Sequence, residues 1–315
     1  MPLLRRRSVV LAKVETTYGQ DAAPDASNGI LCSNPEVRPM ADTLVRDFVR
    51  ETLSPLEHVI GAKYVEVSFE TEVRGSGDNS SATAILPEVD PLLRACGFAA
   101  TTGDDGAGNY YVTYTPKSSD FESVTLYVYF DGVLHKVTGC YGTFTLTLAA
   151  NQFGRFAWTF RGLWNDVVDA AMVSPTYDAT KPPVVSNLQL KLDEFQPALE
   201  SFTFELNNTL ANRMDVNAPE AIRGIMITGR ESSGTINPEM ETVATYDFFG
   251  IWKNATSKSL TAVLGSELGN KITITAPKVQ EKSLTYGDRE GVLTLEIPLN
   301  FATTSADDEI SIKFE

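Results

Sequence analysis

The run Tyr64-Val65-Glu66-Val67-Ser68-Phe69-Glu70-Thr71-Glu72-Val73-Arg74 constrains the fold of this chain more than any other stretch. Val65, Val67, Phe69 and Val73 share one parity, while Glu66, Ser68, Glu70, Glu72 and Arg74 share the other. An extended backbone here has one apolar face and one polar, mainly acidic face. In a monomer that acid meets bulk water. In a ring of subunits it meets the inside of a channel.

The same alternation recurs along the chain. Phe144, Leu146 and Leu148 alternate with Thr143, Thr145 and Thr147, and Phe156, Trp158 and Phe160 share one face of the next segment. Phe202, Phe204 and Leu206 oppose Ser201, Thr203 and Glu205, and Leu293, Leu295, Ile297 and Leu299 oppose Thr294 and Glu296. Further strands are predicted near residues 8–14, 110–115, 123–130, 187–192, 221–231, 259–264, 271–276 and 309–314, with Asp131-Gly132 as a hairpin turn. Residues 30–37 and 43–52 are weaker candidates, punctuated by Pro35, Pro39 and Pro55. Helices are predicted over residues 87–97, with Leu92, Leu93 and Cys96 buried, and over residues 239–255. Antiparallel hairpins with few helices imply a mainly β fold, a β-sandwich or partial barrel with flanking short helices.

A chain of 315 residues has room for two domains. Residues 166–186, with Pro175, Pro182 and Pro183, show no sustained period and read as a linker. They separate a first domain, residues 1–165, from a second, residues 187–315. Both halves run from strands through an acid- or Thr-faced strand to a helix and more strands, and residues 28–44 parallel residues 187–202. An internal duplication, with two similar domains per chain, is the expectation.

Function classes fall away by composition and spacing. The 26 basic and 41 acidic residues, a formal net charge of -15, argue against gripping nucleic acid by its phosphates. Cys32, Cys96 and Cys140 stand far apart, which suggests neither disulfides nor zinc and fits a reducing cytoplasm. Arg5-Arg6-Arg7 precedes an apolar run too short for a signal peptide, and no run approaches the roughly 20 apolar residues of a membrane span. Those three arginines read instead as partners for acid on a neighbouring subunit. His58 and His135 lie in different segments, and no nucleophile elbow, P-loop or dinucleotide motif occurs. Asp104-Asp105 and Asp307-Asp308-Glu309 read as solvated loops rather than calcium sites, so no cofactor or metal is implied. A carbohydrate-binding or adhesive β-sandwich and an acid-base hydrolase on a β-scaffold stay open as alternatives.

Four stretches carry a family resemblance. They are Arg6-Arg7-Ser8-Val9-Val10-Leu11-Ala12-Lys13-Val14-Glu15-Thr16-Thr17-Tyr18-Gly19, Pro91-Leu92-Leu93-Arg94-Ala95-Cys96-Gly97-Phe98, Phe121-Glu122-Ser123-Val124-Thr125-Leu126-Tyr127, and Asp131-Gly132-Val133-Leu134-His135-Lys136-Val137-Thr138-Gly139 leading to Gly142-Thr143. Together they resemble the major tail tube proteins of long, flexible-tailed bacteriophages, over most of residues 5–165 and more loosely beyond. The resemblance implies a structural virion protein, assembled in the host cytoplasm, whose β-sandwiches join into a barrel and stack as rings around a DNA conduit. It also implies tail partners such as tape-measure and terminator proteins. The family's usual ring has six single-domain copies, so two domains per chain imply three chains with pseudo-sixfold symmetry. An acidic, Thr-rich lumen would let DNA pass without holding it. Glu66, Glu70, Glu72, Thr203, Glu205, Thr294 and Glu296 are the expected lumen residues.

Overall fold

The computed structural model describes residues 3–315. Its first half holds β1 (Ser8–Val14), β2 (Gly29–Ile30), β3 (Cys32–Leu44), β4 (Val59–Glu72), the helix α1 (Asp90–Ala95), β5 (Phe98–Asp104), β6 (Tyr110–Pro116), β7 (Val124–Phe130), β8 (Val133–Ala149) and β9 (Arg155–Leu163). The connection carries β10 (Val168–Asp169). The second half holds β11 (Lys191–Leu192), β12 (Leu199–Glu205), β13 (Asn208–Met214), β14 (Ile222–Arg230), β15 (Ser233–Pro238), α2 (Phe248–Lys253), β16 (Lys258–Leu264), β17 (Ile272–Glu281), β18 (Thr285–Arg289), β19 (Val292–Phe301) and β20 (Ser311–Phe314). The protein is mainly β, in large antiparallel sheets with short helices and without a closed barrel among the described residues.

One run of antiparallel pairings crosses both halves in the order β3, β4, β9, β8, β12, β15, β19, β18. A second layer is built from β1, β7, β8 and β10 in the first half and from β11, β16, β17 and β20 in the second. The hairpin of β5 and β6 extends that layer by pairing β6 with β20. β8 and β17 each belong to both layers. β8 pairs β7 through Cys140 and β9 at Thr138 and then, past a bulge, from Tyr141 onward, while β17 pairs β16 up to Val279, past an irregularity after Ala276, and meets β19 from Val279. Bulges and the intervening Pro277 supply the bend that such a change of sheet requires.

The apolar parity of these strands fills one core. Phe69, Phe98, Phe144, Trp158 and Phe160 from the first half and Phe202, Phe204, Phe301 and Phe314 from the second belong to a single buried cluster. Phe144 is its hinge, with ring centroids 5.1 Å from Trp158 and 6.0 Å from Phe204. The two halves therefore share a core as well as a sheet.

Several local expectations change. Residues 30–37 and 43–52 do not form two strands, because β3 runs through Pro35 and Pro39 to Leu44 and residues 45–58 are irregular. Among the described residues β3 pairs only with β4, and an edge strand tolerates the missing proline N–H groups. The helix expected over residues 239–255 shrinks to α2. Glu239 bridges Thr294 and the Met240 N–H bonds the Leu293 carbonyl, so the sheet claims those residues, and Asp247 caps the helix at Gly250 N, 2.8 Å away. Residues 166–186 form a fastened strap. Arg74 donates to the Asp178 and Thr180 carbonyls at 3.0 and 2.9 Å and also pairs with Glu88, and Asn270 donates to the Lys181 carbonyl.

The resemblance motif at the N-terminus acts as a latch. The buried Glu15 carboxylate accepts from Thr125 Oγ1 (2.8 Å), Gly139 N (2.7 Å), Gly19 N (2.7 Å) and Ser123 Oγ (2.6 Å). Tyr18 stacks on Tyr141, accepts from Ile225 N at 2.6 Å, and lies 3.2 Å from the Gly139 and Ile225 carbonyls. Gly139 and Gly224 leave it room, since a Cβ at either would come within 2.9 or 2.7 Å of the ring. The motif so joins β8 of one half to β14 of the other.

One titratable group sits uneasily in this core. Glu281 lies beside Tyr246 and Asp247, and neither its Oε2 nor the Tyr246 hydroxyl has a hydrogen-bond partner among the described residues. Burial pushes its carboxyl up to about 7, the Asp247 charge adds to this and Lys258 opposes it. The folded state thus holds a proton that the unfolded chain has released. This group's contribution to stability is fully present below its ordinary value of 4.5, declines as pH rises to about 7, and stays low above that. Glu281→Gln is expected to melt higher than the parent at pH 8, with the gap narrowing toward pH 5. Thermal melts of both at the two pH values check this, and a variant less stable than the parent at pH 8 contradicts it.

Candidate assembly surface

The polar parity of the sheet that crosses both halves forms one continuous face. One row runs Ser33, Glu70, Ala157, Thr145, Glu205, Ser233, Asn300, and the next runs Glu72, Arg155, Thr147, Thr203, Thr235, Pro298. Glu66 lies on the same face opposite Arg161, and Glu296 and Thr294 follow the parity of Pro298 on β19. All seven residues singled out in the sequence therefore share one face of one sheet, brought together by the pairing of β8 with β12.

They are not equally open. Glu70, Glu72, Thr203 and Glu205 are half-exposed and Glu296 is exposed. Glu66 is tied to Arg161 at 2.9 Å where the hairpin of β13 and β14 crosses the sheet, Arg161 also donating to the Leu210 carbonyl at 3.2 Å. Thr294 is buried, with Gly287 of β18 directly opposite. Sequence reasoning missed the basic residues on this face: Arg155 pairs with Glu70 at 3.2 Å, and Arg38 on β3 pairs with Glu36. On β9, Arg155 and Arg161 share a parity with Ala157 and Thr159, and that polar parity is legible behind the more conspicuous Phe156, Trp158 and Phe160. Glutamate still outnumbers arginine across the face.

The arginines at the N-terminus divide. Arg7 pairs with Asp131 of its own chain at 2.6 Å, and the Leu4 N–H bonds the same carboxylate, while Arg5 and Arg6 are exposed. The acidic loops are internally bonded. Asp105 accepts from Ala107 and Asn109, Asp308 from Thr304 and Ser305, and Asp307 pairs with Arg230 at 3.0 Å. No group of His, Cys, Asp or Glu among the described residues is arranged to hold a metal ion. No helix of the described residues is long and apolar enough to cross a membrane.

Among the described residues the sheet ends on both sides in free edges, where β3 has only β4 beside it and β18 only β19. Beyond β3 the arm of β3 and β4 projects to a tip where Val45, Phe48, Val49 and Leu53 are exposed. A long sheet with one polar face, two open edges and an apolar arm is built to be completed by other subunits. A family model described as phage tail tube protein matches residues 5–313. The chain belongs to the phage tail tube protein family. No curated protein matches it. As a tail tube protein it is a structural component of the phage tail that self-assembles into a tube with other tail proteins.

Proposed function

We propose that three copies of this chain close into a pseudo-sixfold ring, and that stacked rings form the conduit through which phage DNA passes. The observation that carries this reading is the single polar face shared by both halves between two free edges. Eight strands per chain, spaced about 4.8 Å apart, give three chains a wall about 115 Å around, or about 37 Å across at the backbone before strand tilt widens it. Glu70, Glu72, Thr203, Glu205 and Glu296 then face the lumen, with Glu66 at its margin and Thr294 beneath β18.

The lumen so built is net acidic with arginines interspersed, which repels the DNA backbone weakly and gives it no basic track to grip. Two domains per chain, residues 1–165 and 187–315 joined by residues 166–186, supply the pseudo-symmetry. Its support is the repeated pairing order: β1, β7, β8, β10 beside β3, β4, β9 in one half, and β11, β16, β17, β20 beside β12, β15, β19 in the other. Arg5 and Arg6 meet acid on a neighbouring subunit, and the apolar arm tip is covered when subunits pack. Tape-measure and terminator proteins are the other tail partners, assembly takes place in the host cytoplasm, and the chain has no catalytic role. The adhesive reading loses its platform, because Phe156, Trp158 and Phe160 are fully buried.

Negative-stain microscopy of the purified protein tests this reading. Rings or tubes with a central channel are expected. A stable monomer at every concentration and salt condition would overturn it.

A further inference from the structure

We propose that the ring closes by pairing β18 of one copy with β3 of the next, antiparallel, and that this junction repeats the one already present within the chain between β8 and β12. The inference rests on the reading above and adds the strands, the faces and the partner.

The template is the internal junction. β8 presents its outer edge to β12, with Leu146 opposite Phe204 and Leu148 opposite Phe202 on the core side, and Thr145 opposite Glu205 and Thr147 opposite Thr203 on the polar side. β8 reaches that position by leaving the second layer and forming a hairpin with β9. β17 and β18 do the same in the second half. β17 leaves β16, and the chain continues through β18 in a hairpin with β19. β18 thus occupies the place of β8, yet no strand among the described residues takes the place of β12 beside it.

The missing strand exists at the opposite end of the sheet. β12 and β3 each lead into a long hairpin, pair with the returning strand, and carry a bulge near their start, between Leu199 and Phe202 in one and between Ser33 and Glu36 in the other. The faces match. Tyr286 stands opposite the buried Leu295, so it points to the core side, yet it is 61% exposed because no strand follows it. Val37 stands opposite the buried Val67 and points to the core side of β3. Joining the edges places Tyr286 and Val37 on one side, as Leu146 and Phe204 are, and Gly287 with Glu36 and Arg38 on the polar side. The free groups of both edges then pair except at Pro35 and Pro39, which have no N–H to donate, and those two gaps discourage strand addition in other registers.

Disulfide trapping in assembled protein reads the junction directly. In a Cys32→Ser background, Tyr286→Cys is combined in turn with Pro35→Cys, Val37→Cys and Pro39→Cys, which share one parity and span the register. After mild oxidation, one combination is expected to give covalent dimers and trimers on a denaturing gel and nothing larger, because the third bond closes the ring. Single-cysteine controls should stay monomeric on the gel. Tubes visible by microscopy without cross-linked chains in any combination would overturn the junction and leave the tube reading intact. Parent protein that forms neither rings nor tubes would overturn both.

Discussion

Glu15→Ala is expected to destabilise the unassembled chain by about 3–5 kcal/mol. The carboxylate receives four hydrogen bonds in a buried site, from Thr125, Ser123 and the Gly19 and Gly139 amides. Hydroxyls can turn to other acceptors, but the Gly139 amide at the β8 bulge cannot, and a buried unpaired donor costs about 1–3 kcal/mol. Glu15→Gln keeps one oxygen acceptor and turns an amide group toward donors, so its loss should be nearly as large. Urea denaturation followed by circular dichroism measures both. A change below about 1 kcal/mol for Glu15→Ala would show that the latch does not hold the N-terminal segment. Tyr18→Phe should weaken the same region less, because stacking on Tyr141 survives and only the contacts to Gly139 and Ile225 are lost.

Trp158→Ala should cost about as much, roughly 3–5 kcal/mol, for a different reason. Its indole is almost fully buried among Phe144, Phe156 and Phe160 and donates to Thr71 Oγ1 at 2.8 Å. The truncation opens a cavity in the layer that holds β4, β9 and β8 side by side. Trp158→Phe keeps most of the volume and leaves Thr71 without its partner, for a loss of about 1–2 kcal/mol. The alanine variant should also form fewer tubes, since the polar face is only as flat and continuous as the core behind it. Calorimetry and particle counts on micrographs report the two effects, and an unchanged melting temperature would contradict the first.

Much of this fold is legible in the sequence. Period-two alternation assigns a face without knowing neighbours, so the acidic side of β4 and the threonine side of β8 were both readable. Neighbours are a different matter. The pairing of β8 with β12 spans the strap and leaves no local trace, and the ion pairs of Glu66 with Arg161 and Glu70 with Arg155 follow from the register of β4 against β9, two strands more than eighty residues apart in sequence. Thr294 has the right parity for an open face, but Gly287 opposite lets β18 close over it. The proposed repeat is legible in the sequence as element order, while the pairwise alignment of its halves is not. The sequence aligns residues 28–44 with 187–202, whereas by strand pairing β3 corresponds to β12, each with a bulge at its start. The motif around Glu15 and Tyr18 stands out in the sequence by resemblance alone, because its role lies in contacts with residues more than a hundred positions away.

The most direct measurement is a cryo-electron-microscopy map of the assembled tube at side-chain resolution. The expected map shows three chains per ring with Glu70, Glu72, Thr203, Glu205 and Glu296 pointing into the central channel and β18 of each chain lying along β3 of the next. A map with most of these side chains on the outer wall of the tube, or with the shared polar face buried between rings, would contradict it.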